Sequence, residues 1–438
     1  MSIKRSAVTV CAALTVASLV GPAAVSMAAA LPAVSVGAGA VLAGPRASKI
    51  AFVVSLSARS SGPVSVNYST VDGSAAGGTD FVAASGVVTI AAGSLRATVN
   101  VAVNPLTFTT SGADKSFTLD LSTPIGAQPG TLAGIGVIHA DPYLAAHSGS
   151  LQDVVIDPNS RTAYITNSAL NEVEVLNLRT GSYGKPISVG SQPAGIDITP
   201  DGTTLYVCDS GAQTISVVDL ATHKVSRNII TPSGFDTERA LSIAIANNGH
   251  AVFTTTFFGS GFGAHVYDLN MSNDTITVLN AGGFGGAVTE DTPVTRSSDH
   301  STIAGLLGDD SGGPFFIYHA ATGKVTNGSL NASSVQWGAL SGNGSELLVD
   351  GGTFDVNTAT GTLAGTISGF GTGIAVNSPG STGYRLQLGT VGVLDVTRFL
   401  VTSLIPVPDA TTGNVMVISP DNHTLVALTA SGATIVKV

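Results

Sequence analysis

The stretch Pro193–Leu220 reads PAGIDITPDGTTLYVCDSGAQTISVVDL and contains the pattern that decides the fold of most of the chain. Apolar and polar residues alternate on both sides of the Asp201-Gly202 turn, which is typical of half-buried antiparallel strands. A second polar turn, Asp209-Ser210-Gly211, separates the second strand from the apolar run Ile215–Leu220. The stretch therefore predicts one small sheet of short antiparallel strands.

This unit repeats, with drift, through the rest of the chain. The turn after the first strand is found seven times, at Pro158-Asn159, Pro200-Asp201, Ala246-Asn247, Ser298-Asp299, Gly342-Asn343, Pro379-Gly380 and Pro420-Asp421. Successive turns are about 37 to 52 residues apart, which is the spacing of propeller blades. We therefore predict that residues 142–438 form a β-propeller of about seven blades.

The last repeat stops at Val438 without a fourth strand. The short segment Pro142–Ala146, which precedes the first repeat, can fill that place and close the ring. Closure is favourable because it removes the exposed sheet edges that otherwise invite aggregation.

The segment before the repeats, residues 31–141, is also rich in short β-type runs. Turn residues separate them at intervals of roughly 10 to 15 residues, which predicts a β-sandwich. The predicted strands contain Ile50–Val54, Val64–Tyr68, Gly86–Ile90, Ala97–Val103, Phe117–Leu121 and Gly136–Ile138. The whole chain is thus expected to be all-β, with a sandwich followed by a propeller.

Three pieces of this segment, Val66–Ala75, Gly78–Phe81 and Gly86–Ile90, resemble the Calx-beta module. That module is an immunoglobulin-like sandwich found in sodium–calcium exchangers and in many extracellular bacterial proteins. The resemblance implies a possible calcium site at one end of the sandwich, where family members hold the ions with several carboxylates.

Only two family ligands are matched here, because Asp80 follows the Gly-x-Asp-aromatic pattern and Asp141 falls in the closing acidic triplet. Val36–Gly39 carries no Glu, and Asn104–Phe108 replaces an acidic run. Calcium requires six to eight oxygen ligands. We therefore expect either weak calcium binding at Asp80 and Asp141 or a sandwich that has lost its calcium sites, and no other cofactor.

The repeats resemble a second family, the YVTN β-propellers, which are named for a sequence in the second strand. Tyr164–Asn167 and Tyr206–Asp209 occupy that position in the first two repeats. The family includes cell-surface repeat proteins and lactonase-like enzymes, so the resemblance leaves the function open.

Residues 1–30 have the features of a secretory leader. Lys4 and Arg5 precede the apolar run Ala7–Val20, and Ser26–Ala30 offers small residues for cleavage. The alternative is an N-terminal membrane anchor, but the run is short for a membrane span. Cleavage would remove two positive charges from a chain of formal net charge −10, and such an acidic protein is a poor candidate for binding nucleic acid.

One constellation suggests a trypsin-like protease. Gly308–Pro314 resembles the motif around the nucleophilic serine of such proteases, with Ser311 at the serine position. His147 and Asp197 precede it, which gives the order His, Asp, Ser of a catalytic triad. However, the repeat pattern explains Ser311 as part of a recurring hairpin and Asp197 as part of a first strand. We therefore do not expect a protease.

His250, His300 and His423 follow the same turn in three different repeats, so they are expected to be solvated turn residues rather than converging zinc ligands. The glycine-rich aromatic segments Phe257–Phe262 and Gly282–Gly286 suit either a contact surface for a sugar or protein, or packing at a blade rim.

These features predict a secreted, non-catalytic binding or adhesion protein whose partner is an extracellular protein or glycan. The alternative is a propeller enzyme, lactonase-like or another hydrolase, with its site at the central channel. Such an enzyme needs converging acid, base or metal groups on the inner strands, and the sequence offers Asp153 and Asp197 there. The oligomeric state is not predicted.

Overall fold

A computed structural model describes residues 31–44, 46–105, 113–232, 238–256, 264–279, 287–288, 292–306, 312–332, 337–350, 354–367, 371–407 and 415–438. Every regular element in these ranges is a β-strand, as expected from the sequence. No helix in the described ranges has the length and apolar character needed to span a bilayer. The predicted leader, residues 1–30, lies outside them.

Nine strands form the N-terminal sandwich: β1 (Ala33–Val36), β2 (Gly39–Leu42), β3 (Ser48–Leu56), β4 (Val64–Val71), β5 (Ser85–Ile90), β6 (Arg96–Val103), β7 (Lys115–Ile125), β8 (Gln128–Pro129) and β9 (Ala133–His139). One sheet has the order β6-β3-β1-β8 and the other has the order β2-β9-β7-β4-β5. Their facing side chains form one hydrophobic core, which includes the stacked rings of Phe81 and Phe117.

Strands β1 and β2 are not predicted from the sequence, because each is only four residues long. The chain leaves the first sheet after Val36 and enters the second at Gly39, so Gly37 and Ala38 carry it across the sandwich. A Cβ atom on Gly39 would lie 2.5 Å from Ile50 Cγ2, so only glycine fits at this crossing.

The remaining strands form seven small sheets. In chain order they are β10 (Tyr143–Ala146), β11 (Leu151–Ile156), β12 (Thr162–Asn167), β13 (Glu172–Asn177), β14 (Ile187–Ser188), β15 (Pro193–Ile198), β16 (Thr204–Asp209), β17 (Thr214–Asp219), β18 (Lys224–Ile230), β19 (Arg239–Ile245), β20 (His250–Thr256), β21 (Ala264–Asn270), β22 (Thr275–Val278), β23 (Ala287–Val288), β24 (Val294–Arg296), β25 (Thr302–Leu306), β26 (Gly312–His319), β27 (Lys324–Ala332), β28 (Gly338–Leu340), β29 (Glu346–Val349), β30 (Phe354–Asn357), β31 (Thr362–Thr366), β32 (Thr372–Val376), β33 (Thr382–Gln387), β34 (Thr390–Asp395), β35 (Leu400–Pro406), β36 (Met416–Ile418), β37 (Thr424–Thr429) and β38 (Gly432–Lys437).

Blades 1 to 6 each pair four strands in chain order, beginning with β11, β15, β19, β24, β28 and β32, and blade 3 carries β23 as an additional partner of β21. Blade 7 has the order β36-β37-β38-β10. Each of the seven predicted turns is followed directly by the second strand of a blade, and the predicted propeller of about seven blades is therefore correct.

Hydrophobic clusters lie between the blades. Each of seven clusters contains side chains from two successive blades, so every blade contributes to two of them. Cys208 is fully buried in the cluster between blades 2 and 3, as expected for a small apolar side chain. Burial on both faces explains why the blade strands are apolar at nearly every position.

The turns between first and second strands in blades 2, 4, 5 and 7 share one hydrogen-bonding pattern. A Ser or Thr hydroxyl at the start of the turn accepts a bond from the backbone N–H five residues later. The donor–acceptor distances are 3.1 Å for Thr204 to Thr199, 3.1 Å for Thr302 to Ser297, 3.0 Å for Glu346 to Ser341 and 2.9 Å for Thr424 to Ser419. This side-chain bond stabilises the turn, and it gives the repeat its polar spacing.

The ring closes through β10, as predicted. Tyr143–Ala146 pairs antiparallel with Gly432–Ile435 of β38, which joins a segment near residue 145 to the last strand of the chain. Ala145 is buried and packs in the cluster between blades 7 and 1. The segment Pro142–Ala146 therefore acts as the fourth strand of blade 7.

The sandwich contacts the propeller next to this closure. Leu42 is buried in the cluster between blades 7 and 1, and its backbone N–H donates to Arg179 O at 2.8 Å. The Arg179 guanidinium donates to Lys49 O at 3.3 Å. Arg179 lies between the third and fourth strands of blade 1, so the sandwich contacts the edge of the ring that carries those turns.

Two carboxyl groups meet between blades 5 and 6. Glu346 lies beside the buried Asp355, and Oδ1 of Asp355 has no hydrogen-bond partner in the described part of the chain. Burial, followed by the neighbouring Asp355 charge, raises the pKa of Glu346 to about 7. Burial also raises the pKa of Asp355. Two such groups share a proton because both cannot be charged at low cost.

Breaking one ladder bond of the closing strand should destabilise the whole ring. His147 N–H donates to Ser431 O at 3.1 Å. Because hydrogen-bonded residues alternate in an antiparallel pair, the Ala145 N–H points to Ala433 of β38, whereas the Ala146 N–H points away from the sheet. We expect Ala145→Pro to lower the free energy of unfolding by about 1–3 kcal/mol, since it removes this donor. Chemical denaturation would measure the loss. Ala146→Pro is the matched control, and an equal loss in both variants would contradict this account of closure.

The shared proton of Glu346 and Asp355 should make stability depend on pH. A raised carboxyl pKa means that the folded state holds the proton more tightly, so this contribution is fully present below about pH 4.5 and is lost as the pH rises through 7. Asp141 and Asp153, with pKa values of about 7, act in the same direction. We expect the wild type to lose about 1–2 kcal/mol more than Glu346→Gln between pH 5 and pH 8. Asp72→Asn, on an exposed turn, should follow the wild type, and parallel curves for Glu346→Gln and wild type would disprove the assignment.

Candidate functional site: the central channel

The first strands of the seven blades surround a central channel of about 620 Å³. This volume is within the range of small-molecule sites, about 300–1,000 Å³. Each first strand pairs only with its second strand, so its other edge faces the channel. The wall is thus made of backbone edges together with mostly apolar side chains.

Alternation within each strand determines which backbone groups point into the channel. In blade 5, Ser341 N–H donates to Glu346 O of the second strand at 2.9 Å. The backbone groups of Ala339, two residues earlier, therefore also bond to the second strand. The N–H and C=O groups of Gly338 and Leu340 point the opposite way, into the channel. The first strands of the other blades alternate in the same way, so two tiers of residues turn their backbone N–H and C=O groups to the channel. The upper tier is Val154, Ile196, Ile243, Val294, Gly338, Ile374 and Met416, and the lower tier is Ile156, Ile198, Ile245, Arg296, Leu340, Val376 and Ile418.

Side chains of blades 1 to 3 bind several of these backbone groups. Asp153 accepts from Val154 N at 2.8 Å and from Ile196 N of the next blade at 3.2 Å. Ser242 Oγ accepts from Val294 N of blade 4 at 3.1 Å. These bonds connect successive blades at the channel wall.

Asp197 forms the strongest of these links. Its carboxylate is buried and accepts from Ile198 N at 2.8 Å and from Ile245 N at 2.7 Å. Arg296 Nε lies 2.9 and 2.7 Å from its two oxygens. Arg296 comes from blade 4, so one carboxylate connects blades 2, 3 and 4, and its charge is balanced inside the wall.

Asp153 differs from Asp197 because no cation accompanies it among its described partners. Burial raises its pKa to about 7, and the nearby Asp197 charge adds to the effect. A carboxyl group with this pKa changes its charge near neutral pH. It is the one described channel group whose pKa suits general acid–base work.

Trp337 lines the end of the channel at which the first strands begin. Its backbone N–H donates to Asp350 Oδ1 at 3.1 Å, and Asp350 N–H donates back to Trp337 O at 2.9 Å. This reciprocal pair fixes the entry of β28. Trp337 is not predicted as a channel residue from the sequence, because a lone Trp gives no pattern and its position depends on the ring.

The protease hypothesis receives no support from the described residues. His147 lies beside Glu174, with 3.2 Å between Nε2 and the carboxylate, whereas Asp197 pairs with Arg296. Ser311 lies outside the described residues, as do the aromatic segments Phe257–Phe262 and Gly282–Gly286.

The expectation that His300 is a solvated turn residue is wrong. His300 is buried, and its Nδ1 lies 2.7 Å from Ile245 O of the preceding blade. Burial and the nearby Arg296 lower its pKa, so the neutral imidazole connects two blades. His250 pairs with Asp268 at 2.9 Å. The described residues contain no group of three or more His, Cys, Asp or Glu side chains suited to a metal ion.

The two calcium candidates have separate partners. Asp80 is buried, with Lys115 Nζ at 2.6 Å from Oδ1 and Ala76 N at 2.9 Å from Oδ2. Asp141 Oδ1 accepts from Lys437 N at 2.9 Å, whereas Oδ2 is buried without a partner in the described chain. Burial raises the pKa of Asp141 to about 7. Asp141 therefore lies at the junction of the sandwich with the propeller.

A further polar cluster lies in blade 3 and was missed from the sequence. Glu238 is fully buried and lies 2.7 Å from His265 Nδ1, while Tyr267 and Thr255 donate to its other oxygen at 2.9 and 3.2 Å. Both carboxylate oxygens of Glu238 are thus bound by protein side chains. The sequence signal was a lone Glu before an apolar strand, which is too weak to predict such a cluster.

Residues 46–139 match the family model of the Calx-beta domain, so this part of the chain is a Calx-beta domain. No curated protein sequence matches the chain.

Several solved structures share the fold of the chain at low sequence identity. Hydrazine synthase of Kuenenia stuttgartiensis has a TM-score of 0.54 at 16% identity over 67% of this chain and 97% of its own. A chain of a mitotic checkpoint complex has a TM-score of 0.53 at 15% identity, covering 68% and 90%. The Dos1 propeller has a TM-score of 0.51 at 14% identity, covering 73% and 88%. At these identities the likeness shows the propeller fold alone.

Proposed function

We propose that this protein is a secreted, non-catalytic binding or adhesion protein that acts outside the cell through its β-propeller. The proposal rests on the observation that the charged side chains Asp197 and Arg296 in the channel wall are paired with each other. Asp197 and Arg296 neutralise each other, and the carboxylate also accepts two backbone N–H groups. These groups hold blades together, so the described residues form a preformed concave site in which no set of catalytic residues is assembled.

The proposed location rests on the N-terminal sequence. Lys4 and Arg5, the apolar run and the small residues up to Ala30 have the order of a cleavable leader. We also propose that the propeller is of the YVTN type, because Tyr206–Asp209 occupies the second strand of blade 2. The proposed division is a leader over 1–30, the sandwich over 31–141 and the propeller over 142–438.

The proposed partner is an extracellular protein or a glycan. Neighbouring strands in a blade are antiparallel, so the turn near Arg179 and the start of the first strands lie at opposite edges of the ring. The described sandwich contacts involve the Arg179 edge. The opposite mouth, near Trp337, is therefore the proposed binding face.

Binding and catalysis can be separated with one preparation of the mature chain, residues 31–438. We expect saturable binding to at least one member of an array of purified glycans and extracellular proteins, and no turnover of a panel of lactones and activated esters. Expression of the full chain in a secreting host should release protein that begins near residue 31. Retention inside the cell, or turnover without saturable binding, would overturn the proposal.

The second candidate is a hydrolase with its site in the channel, and it is favoured by one observation. Asp153, with a pKa of about 7, is suited to act as a general base. If the panel shows turnover, Asp153→Asn should lower kcat/KM by about 10²-fold or more, whereas Asp157→Asn, on the neighbouring turn, should leave kcat/KM unchanged.

The calcium site at Asp80 and Asp141 stays a prediction with two alternatives. Calcium at Asp80 would have to displace the Lys115 ammonium, which lies 2.6 Å from Oδ1. We therefore expect the same melting temperature in calcium and in excess chelator. A rise of several degrees in calcium would show that the folded state binds the ion. In that case Asp80→Asn and Asp141→Asn should abolish the rise, and Asp72→Asn, on an exposed turn, should not.

A further inference from the structure

In one half of the channel wall, backbone N–H groups face the channel without a partner among the described residues. In blades 5 to 7 both tiers face the channel with N–H groups that have no acceptor in the described part of the chain. They belong to Gly338, Ile374 and Met416 in the upper tier, and to Leu340, Val376 and Ile418 in the lower tier. Blades 1 to 3 differ, because Asp153 and Asp197 bind four of the six corresponding N–H groups there, those of Val154, Ile196, Ile198 and Ile245. Ser242 binds the N–H of Val294 in blade 4.

A free strand edge presents an N–H donor and a C=O acceptor on the same residue. In an antiparallel strand both groups of an outward-facing residue point to the same side. A hydroxyl group satisfies such a pair well, because it donates one hydrogen bond and accepts others. The wall of blades 5 to 7 is therefore suited to a ligand that carries several hydroxyl groups.

The described charged groups of the channel favour a neutral ligand below about pH 7, where the Asp153 carboxyl, whose pKa burial raises to about 7, is largely protonated. Arg296 Nε donates to both oxygens of Asp197 and Nη1 donates to Ser297 O at 3.2 Å, so the positive charge is already balanced inside the wall. Asp197 is equally unavailable to a cation, because its oxygens already accept from Arg296 and two backbone N–H groups. A charged ligand would also lose its hydration shell next to apolar side chains such as Leu306 and Ile374.

Trp337 adds an apolar aromatic surface at the channel mouth. The C–H face of a sugar ring packs on such a surface while its hydroxyl groups remain available for hydrogen bonds. A cavity of about 620 Å³ is in the usual size range for small-molecule sites.

We propose that the channel binds a neutral mono- or disaccharide along blades 5 to 7, with Trp337 at the mouth. This inference rests on the proposed binding function and specifies its ligand class and its place. The backbone edges supply the hydrogen bonds, and the indole supplies the apolar contact.

The chain contains a single Trp, so its intrinsic fluorescence reports on the proposed site directly. The mature chain is titrated with glucose, galactose, mannose, N-acetylglucosamine, cellobiose, lactose and chitobiose. We expect a saturable change in emission and protection from iodide quenching with at least one of them. Glucuronate and glucosamine, which are charged sugars, should bind about tenfold or more weakly. Glycerol at equal concentration should have no saturable effect.

Two variants localise the binding. Gln152 is exposed and lines the channel, so Gln152→Tyr should obstruct it and abolish the response. Gln213→Tyr makes the same change on a hairpin outside the channel lining and should bind as the wild type does. Calorimetry on Trp337→Ala should show affinity at least about tenfold weaker, and it serves independently if Gln152→Tyr does not fold.

The outcomes distinguish this inference from the proposed function. If the array shows saturable binding but no sugar changes Trp337 emission, the function stands and the channel assignment fails. A response that persists in Gln152→Tyr would also overturn the channel site. If neither the array nor the titration shows binding, both proposals fail together.

Discussion

The pairing of β10 with β38 is the constraint on which the rest of the structure depends. A propeller is stable only as a closed ring, because an open ring would expose an unpaired edge and an unpacked apolar blade face. Closure here uses Tyr143–Ala146, which directly follows the sandwich in the chain. The sandwich is therefore held at the junction of blades 7 and 1, where Leu42 enters the same cluster as Ala145 and Asp141 accepts from Lys437.

Once the ring is closed, seven inner strand edges face one narrow channel with unpaired backbone groups. In blades 1 to 3, the side chains of Asp153, Asp197 and Ser242 accept hydrogen bonds from backbone N–H groups of the next blade. Blades 5 to 7 have Ala339, Ala375 and Val417 at the positions equivalent to Asp197, and these side chains cannot accept hydrogen bonds, so the inner edges stay available to a ligand. The same geometric necessity thus produces structural links on one side of the channel and the proposed binding surface on the other. The carboxylates that first suggested catalysis belong largely to the structural side.

Local chemistry explains how degenerate repeats keep the same shape. In six of the seven turns a side-chain oxygen accepts from the backbone N–H five residues later, and Ser, Thr, Asp and Asn all supply this oxygen, whereas in blade 3 Ala246 N–H donates to His250 O instead. Ser297 and Ser341 do so in blades 4 and 5, whereas Asp157 and Asn377 do so in blades 1 and 6. Sequence identity between blades can therefore fall while the turn survives. Burial of each strand on both faces likewise requires only apolar character and suitable volume.

The sequence by itself determined the all-β fold, the blade count near seven, the closing strand and the Calx-beta resemblance. These features follow from period-2 patterning, turn residues and repeat spacing, which are local properties of the chain. Only the tertiary structure decided the environments of single polar residues, because partners such as Arg296 and Asp197 lie about a hundred positions apart. For the same reason His300 was misjudged as solvated, although it is buried against Ile245 of another blade. Which inner edges are bound and which remain free depends on how successive blades face each other, and that relation exists only once the ring is closed.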